Sequence, residues 1–278
     1  MTSPPAPMLT QPLRNLAAWV AYFHAVDIPV LASTAESLEA LRANEDQVDA
    51  NGLGEMISHD PLMTLKVLAY AATHRPARVV TDSETVTSAL VMMGIPPFFK
   101  AFGTQPSVED RLASHPDALD GLQQTLRRAH RGANFALGFA VHRMDPDAAV
   151  IHAAALLHDF AEMLMWCHAP ALALRMRDAQ RLDPARRSVA SQLAVLGIEL
   201  ADLQQALMRS WRLPELLVRI SDDRHAEQPG VKNVALAIRL ARHTANGWDN
   251  PAIPDDVAEI AALLNLSNAS TLQLLVNV

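Results

Sequence analysis

The chain has one cysteine, Cys167, in 278 residues. A single thiol excludes a disulfide within the chain and a cysteine-built zinc knuckle, and it suits a reducing compartment such as the cytoplasm. Aromatic residues are also scarce, at 5%, although 50% of residues are hydrophobic. Ala, Leu, Val and Met carry the apolar load, which suits close helix-on-helix packing. Positive charge is short as well: 23 Lys and Arg against 30 Asp and Glu leave a net charge of −7. Such a chain repels a phosphate backbone, which argues against nucleic acid as a partner. No apolar run reaches the roughly 18 residues of an ordinary membrane span. The N-terminus lacks the basic segment and apolar stretch of a secretory signal. Gly52-Leu53-Gly54 stands outside any phosphate-loop signature, and no serine sits in a nucleophile-elbow pattern. Sustained alternation of apolar and polar residues is missing, so sheet content is expected to be near nil.

Helical periodicity is what fills the chain. Residues 1–12 are rich in proline and read as a flexible tail. Leu13, Leu16, Ala17, Val20 and Phe23 then fall at helical spacing. Pro29 makes "DIPVLAST" extended, with Ser33 or Thr34 as the cap of the next helix. In "HDPLMTLKVLAYAATH", Asp60 is an N-cap and Pro61 sits where its missing N–H costs nothing. Asp82 or Ser83 is the expected cap of the following helix, which Gly94 ends. The polar stretch "GTQPSVEDRLASHPDALDG" reads as a joint between an N-terminal helical subdomain, 13–105, and a C-terminal one, 118–278. A long helix is expected over Leu122–His142, and another runs from Asp145-Pro146-Asp147 to about His168. Six shorter helices follow, over about 183–196, 199–211, 214–221, 231–246, 255–264 and 268–276.

The helix ending near His168 holds an unusual polar doublet, His158-Asp159, within "AALLHDFAEMLMW". Adjacent residues of a helix point about 100° apart, so the two can approach one divalent ion if it sits between their directions. Further ligands must come from other helices. His130 on the long helix and His225 in "SDDRHAEQP" are the candidates, with Asp222 and Asp223 near the latter. Taken alone, the doublet fits better a buried histidine satisfied by a backbone carbonyl or by the neighbourhood of Asp159. His225 fits a loop, and His243, like the other histidines, fits a surface or cap position. The basic cluster "LRRAHR" at Leu126–Arg131 fits the solvated face of a helix. Cys167 has no general base at a readable spacing, and the methionines fit gap-filling core.

In order along the chain stand "IPVL" from Ile28, "MISHDPLMTLKVLAYA", "SETVTSALVMMGIPPF", "ALLHDFAEML", "LGIELADLQQALMRSWRLP" and "NVALAIRLARHTANGW". This series resembles the HDOD family of bacterial signalling proteins, relatives of the HD superfamily of metal-dependent phosphohydrolases. The likeness runs from about Ala25 to Trp248. It implies an all-α fold, a multi-helix HD-like bundle with an N-terminal helical subdomain. The resemblance also implies that His130, His158 and Asp159 descend from a metal site.

Departures from the family pattern set the functional expectation. The late Ala-Asp step of an HD hydrolase is matched by Ala241-Arg242, so a guanidinium stands for a carboxylate. A fixed cation opposes a bound dication and suits a salt bridge to Asp159 instead. Leu200 replaces a frequent His, Gln192 a frequent acid, and Ala72-Thr73 an Asn-Ser pair. His130, His158, Asp159 and Arg242 are therefore expected to be a vestigial site, with His225 as a possible addition and no cofactor or metal bound. The expected function is a non-catalytic, cytoplasmic signalling or scaffolding module that binds a protein partner or a small ligand. The alternative is a metal-dependent phosphohydrolase, a phosphodiesterase or nucleotidase, with His130, His158 and Asp159 holding a divalent ion.

Overall fold

A computed structural model describes residues 7–75, 83–183 and 186–277. Among them the secondary structure is helical. The sole trace of sheet is an isolated parallel bridge between Val30 and Ser107. The chain divides into two compact units: residues 1–125 with 159–213, and residues 126–158 with 214–278. This division does not follow chain order, unlike the 13–105 and 118–278 halves suggested by the polar joint. The joint itself is structured. Val108 and Leu112 within it are buried, Val108–Arg111 forms a helical turn, and the long helix starts at Pro116 rather than Leu122.

The first unit begins with α1, Leu16–Ala25, capped by Asn15, whose side chain accepts from the Ala18 N–H at 2.9 Å. Its buried side is Trp19 and Phe23, not the stripe starting at Leu13; Ala17 is exposed. Ahead of it, the Leu9 N–H donates to the His168 carbonyl at 2.8 Å, so part of the expected tail is tied down. α2, Ala32–Arg42, has no cap of its own. Ser33 and Thr34 both lie inside it. Two remote carboxylates cap it instead: Asp60 accepts from the Leu31 N–H and Glu109 from the Ala32 N–H, each at 2.8 Å. These satisfy amides that a helix start leaves orphaned.

α3, Ala50–Ser58, leads into α4, Pro61–Thr73. Here the sequence expectation holds: Asp60 Oδ1 accepts from Leu62 at 2.9 Å and Met63 at 3.1 Å, with Pro61 at the first helical position. Asp60 is fully buried, and that burial raises its pKa against the pull of these hydrogen bonds. α5, Val86–Met93, is capped by Thr85 in a capping box with Ser88, so Ser83 is not the cap; Asp82 lies outside the described residues. Gly94, at φ 83°, ends α5 in a region that a side chain would strain, and α6, Ile95–Ala101, follows directly. After α7, Val108–Arg111, comes α8, Pro116–His142, whose first ten residues belong to this unit.

α9, Ala148–Leu156, belongs to the second unit, and α10, Phe160–His168, returns the chain to the first. The stretch Ala148–His168 is long and apolar enough to cross a membrane by composition, but its most apolar 18-residue window is 72% buried inside the protein. α11, Pro170–Leu182, α12, Ser188–Leu196, and α13, Leu200–Ser210, complete the first unit. Its core gathers Phe98, Phe160, Leu62, Leu65, Leu203 and Leu207, all fully buried.

The second unit holds the rest of α8 with α9, α14 (Glu215–Ile220), α15 (Pro229–His243), α16 (Ile253–Leu264) and α17 (Asn268–Val276). α15 is its central helix. Val231, Val234, Ala237 and Ala241 are fully buried on it, and it packs against α9, α14 and α16. Gly132 on α8 allows a close approach to α15: an added Cβ would lie 2.6 Å from Ile238 Cδ1.

Candidate functional site

The His-Asp doublet sits at a break between helices, not within one. α9 ends at Leu156 and α10 starts at Phe160. At the break His158 donates its N–H to Ala155, a three-residue step that tightens the last turn. Leu157 and Asp159 have left helical geometry, with φ, ψ of −91°, 1° and −111°, 23°. The expected continuous helix is therefore corrected, and the angular argument for the pair with it. His158 falls in the second unit and Asp159, 9% exposed, in the first.

In the second unit His158 Nε2 lies 3.1 Å from Asp223 Oδ2. The imidazole side chain is 11% exposed and the carboxylate 54%. The segment "SDDRH" explains why Asp223 is available. Asp222 turns inward, is 7% exposed, and caps a short 3-10 turn, Asp223–His225. It also holds Arg224 in a two-point grip, Nε to Oδ1 at 2.8 Å and Nη2 to Oδ2 at 3.0 Å. The Arg224 hydrogen bonds pull the Asp222 carboxyl below its usual pKa. Asp222 and Arg224 thus stiffen the turn, and Asp223 is presented to His158.

The other candidates are placed as follows. His130 is half-buried on α8 in the second unit, with Arg131 beside it bonded to the Thr244 carbonyl. His225 is in the 3-10 turn, 55% exposed, with Nδ1 3.4 Å from Glu227. Arg242 is exposed in the last turn of α15, where a cation complements the helix dipole. Cys167 is completely buried, and burial pushes its thiol up to about 12, so thiolate chemistry is closed to it.

A metal centre is what the resemblance to HD hydrolases raises, and the described donor set does not fit one. Among the described residues, no group of three or more His, Cys, Asp or Glu side chains is placed to hold an ion. Even an open catalytic zinc site takes three protein ligands, and the pair His158 and Asp223 is not part of such a group among the described residues. What the pair can do is hydrogen-bond: a partly solvated imidazole and carboxylate can donate to and accept from a polar partner.

Sequence reasoning missed one network in this unit. Asp256, 2% exposed at the start of α16, is hydrogen-bonded to His243 Nδ1 and ion-paired with Arg239, whose Nε lies 2.7 Å away; Arg239 also pairs with Glu259 at 2.8 Å. His243 is thus tied to a buried carboxylate, not simply a surface group. The legible signal was the spacing of Arg239 and His243, four apart on one face of α15.

No curated protein sequence matches the chain. Solved structures share the fold. The MmoQ response regulator of Methylococcus capsulatus aligns with a TM-score of 0.67 at 18% identity, over 90% of this chain and 98% of that one. A virulence factor of Campylobacter jejuni aligns at 0.59 and 16%, over 94% and 97%. An HDOD domain protein of Geobacter sulfurreducens aligns at 0.51 and 14%, over 94% and 93%. The sequence profile of the HDOD domain matches residues 28–227, well over half of the chain. The chain belongs to the HDOD domain family.

Proposed function

We propose that this protein is a non-catalytic bacterial signal-transduction or scaffolding module that works by binding a protein partner or a small ligand. One observation carries the reading: His158 lies against the Asp223 carboxylate, and among the described residues no group of three or more His, Cys, Asp or Glu is placed to hold an ion. Two further features support it. Arg242 occupies the position where the family resemblance expects a metal-binding carboxylate. A relative that shares the fold is named a response regulator. Action in the cytoplasm belongs to the same reading and is supported by the single, buried thiol.

The competing reading, a metal-dependent phosphohydrolase, rests on the doublet itself. Incubation of the full chain with manganese and a chromogenic phosphodiester separates the two. The expected result is no turnover above the metal-only blank. Turnover that disappears in both His158→Ala and Asp159→Ala would overturn the non-catalytic reading.

A further inference from the structure

The first unit carries a mainly apolar groove of about 490 Å³ between α2 and α3. Ala40 and Leu41 form one wall, Gly52, Leu53 and Met56 the other, and Val48 lies in the bend between them. Ala40 and Gly52 are small and exposed, so a visiting helix can come close there.

The rim of the groove is acidic. Asp49 lines it, Glu36 stands one turn before Ala40 on α2, and Asp46 precedes the lining Gln47 in the 3-10 turn Glu45–Gln47; all three are exposed. The one basic residue of the stretch 36–56, Arg42, is engaged elsewhere: its Nη2 donates to the Phe102 carbonyl at 2.7 Å and its guanidinium lies over the Phe99 ring. An occupant must therefore bring an apolar face edged by positive charge.

α12 presents such a face. On it Val189, Ala190, Leu193 and Ala194 are exposed along one side, while Ser191 and Val195 are buried on the other. Val189 is 40% and Leu193 48% exposed, and the helix contains no charged residue. Arg186 and Arg187, both exposed, stand immediately before its first turn. The stretch 181–196 holds three arginines against one acid, Asp183. No side chain caps the start of α12, so its first N–H groups also favour a carboxylate.

We propose that α12 of a second copy of this chain docks in the groove between α2 and α3. Val189 and Leu193 take the apolar floor at Leu41, Leu53 and Met56, and Arg186 and Arg187 meet the rim carboxylates. Groove and helix are different surfaces, so the contact is heterologous: it closes as a pair when both copies dock reciprocally and otherwise continues as a ring or chain. One nine-residue helix in one groove lies at the small end of interfaces, so the association is weak and governed by concentration.

Sedimentation equilibrium of the full chain between about 5 and about 500 µM tests this. The mass should rise above that of the monomer with concentration, and less steeply at high salt, which screens the rim charges. Leu193→Lys should weaken association at least about tenfold by placing a charge in the apolar contact. Two charge reversals identify the pairing. Glu36→Lys with Asp46→Lys, and Arg186→Glu with Arg187→Glu, should each weaken self-association about tenfold. All four residues are exposed, and circular dichroism checks that each variant is folded. Mixed together, the two double variants should associate at close to parental strength, because a reversed rim then meets a reversed helix. A mixture that stays apart overturns the proposal. Weakening by only one of the two reversals overturns it as well, since helix would then pair with helix or groove with groove. A chain that stays monomeric throughout leaves the groove to a different protein and also overturns it. The readout is mass without turnover, so its failure leaves the non-catalytic reading standing, and turnover at His158 would leave the docking surface standing.

Discussion

Replacing Gly121 by Ala should destabilise the protein even though alanine is the better helix former. Gly121 lies inside α8, and an ideal Cβ there would sit 2.5, 2.6 and 2.8 Å from Cη2, Cζ2 and Cζ3 of Trp166. Carbon atoms rest at about 3.5–4.0 Å, so the ring would have to retreat by roughly 1 Å. It is poorly placed to do so. Trp166 is 4% exposed, and its Nε1 donates to Thr125 Oγ1 at 3.2 Å and Glu162 Oε1 at 3.3 Å. Overpacking of this kind costs about 1–3 kcal/mol. Weakening the indole hydrogen bonds adds about 1 kcal/mol. The propensity gain of Gly to Ala returns about 1 kcal/mol. A net loss of about 2 kcal/mol is expected, read as a lowered midpoint in urea unfolding. Gly132→Ala is the control. Its Cβ would meet only the terminal methyl of Ile238 at 2.6 Å, with the next atom at 3.6 Å, and that methyl can rotate away. The control should lie within about 1 kcal/mol of the parent. Equal or greater stability of Gly121→Ala would refute the close-packing argument for α8 and α10.

Two further perturbations test other parts of the structure. Asp60→Ala removes the acceptor for three backbone N–H groups, and the lost cap and the orphaned Leu31 amide together should cost about 2–4 kcal/mol in thermal or urea unfolding. Asp60→Asn keeps one oxygen and should fall between the parent and Asp60→Ala; equal stability of all three would show that the remote capping of α2 contributes nothing. His168 provides a pH test: burial, then Arg111, lowers its pKa from 6.5 to about 3, and its Nδ1 accepts from Arg111 Nη2 at 3.1 Å. The folded imidazole therefore stays neutral while the unfolded one takes a proton near 6.5, so this contribution to stability is full above that pH and is lost as pH falls toward about 3. His168→Gln, which still offers Arg111 an acceptor, should flatten the decline measured by unfolding midpoints between pH 7 and pH 4, and an unchanged slope would contradict the assignment.

Local signals were read well where the physics is local. Asp60-Pro61 announced α4 because a cap and a first-turn proline act within three residues. The starts of α13 to α17 were legible for a similar reason, since proline or polar breaks bound apolar stripes. The start of α2 was not legible. Its amides are capped by Asp60 and Glu109, which lie 29 and 77 residues away from the bonds they receive, and no sequence window contains that pairing. The break at His158 was hidden because no proline or glycine marks it between Ala154 and Trp166, and apolar helical residues flank the doublet on both sides. Of the candidate site, His158 was identified from sequence, but its partner was seen only as one of two nearby acids. Which of Asp222 and Asp223 faces the imidazole depends on Arg224 gripping the other.

The most direct measurement is the divalent-metal content of the purified full chain, followed by manganese titration of the parent and of Arg242→Asp. The account predicts no stoichiometric metal in the parent and tighter manganese binding in Arg242→Asp, where a carboxylate returns to the position that the family pattern assigns to a ligand. Stoichiometric metal in the parent, lost on His158→Ala, would contradict the account.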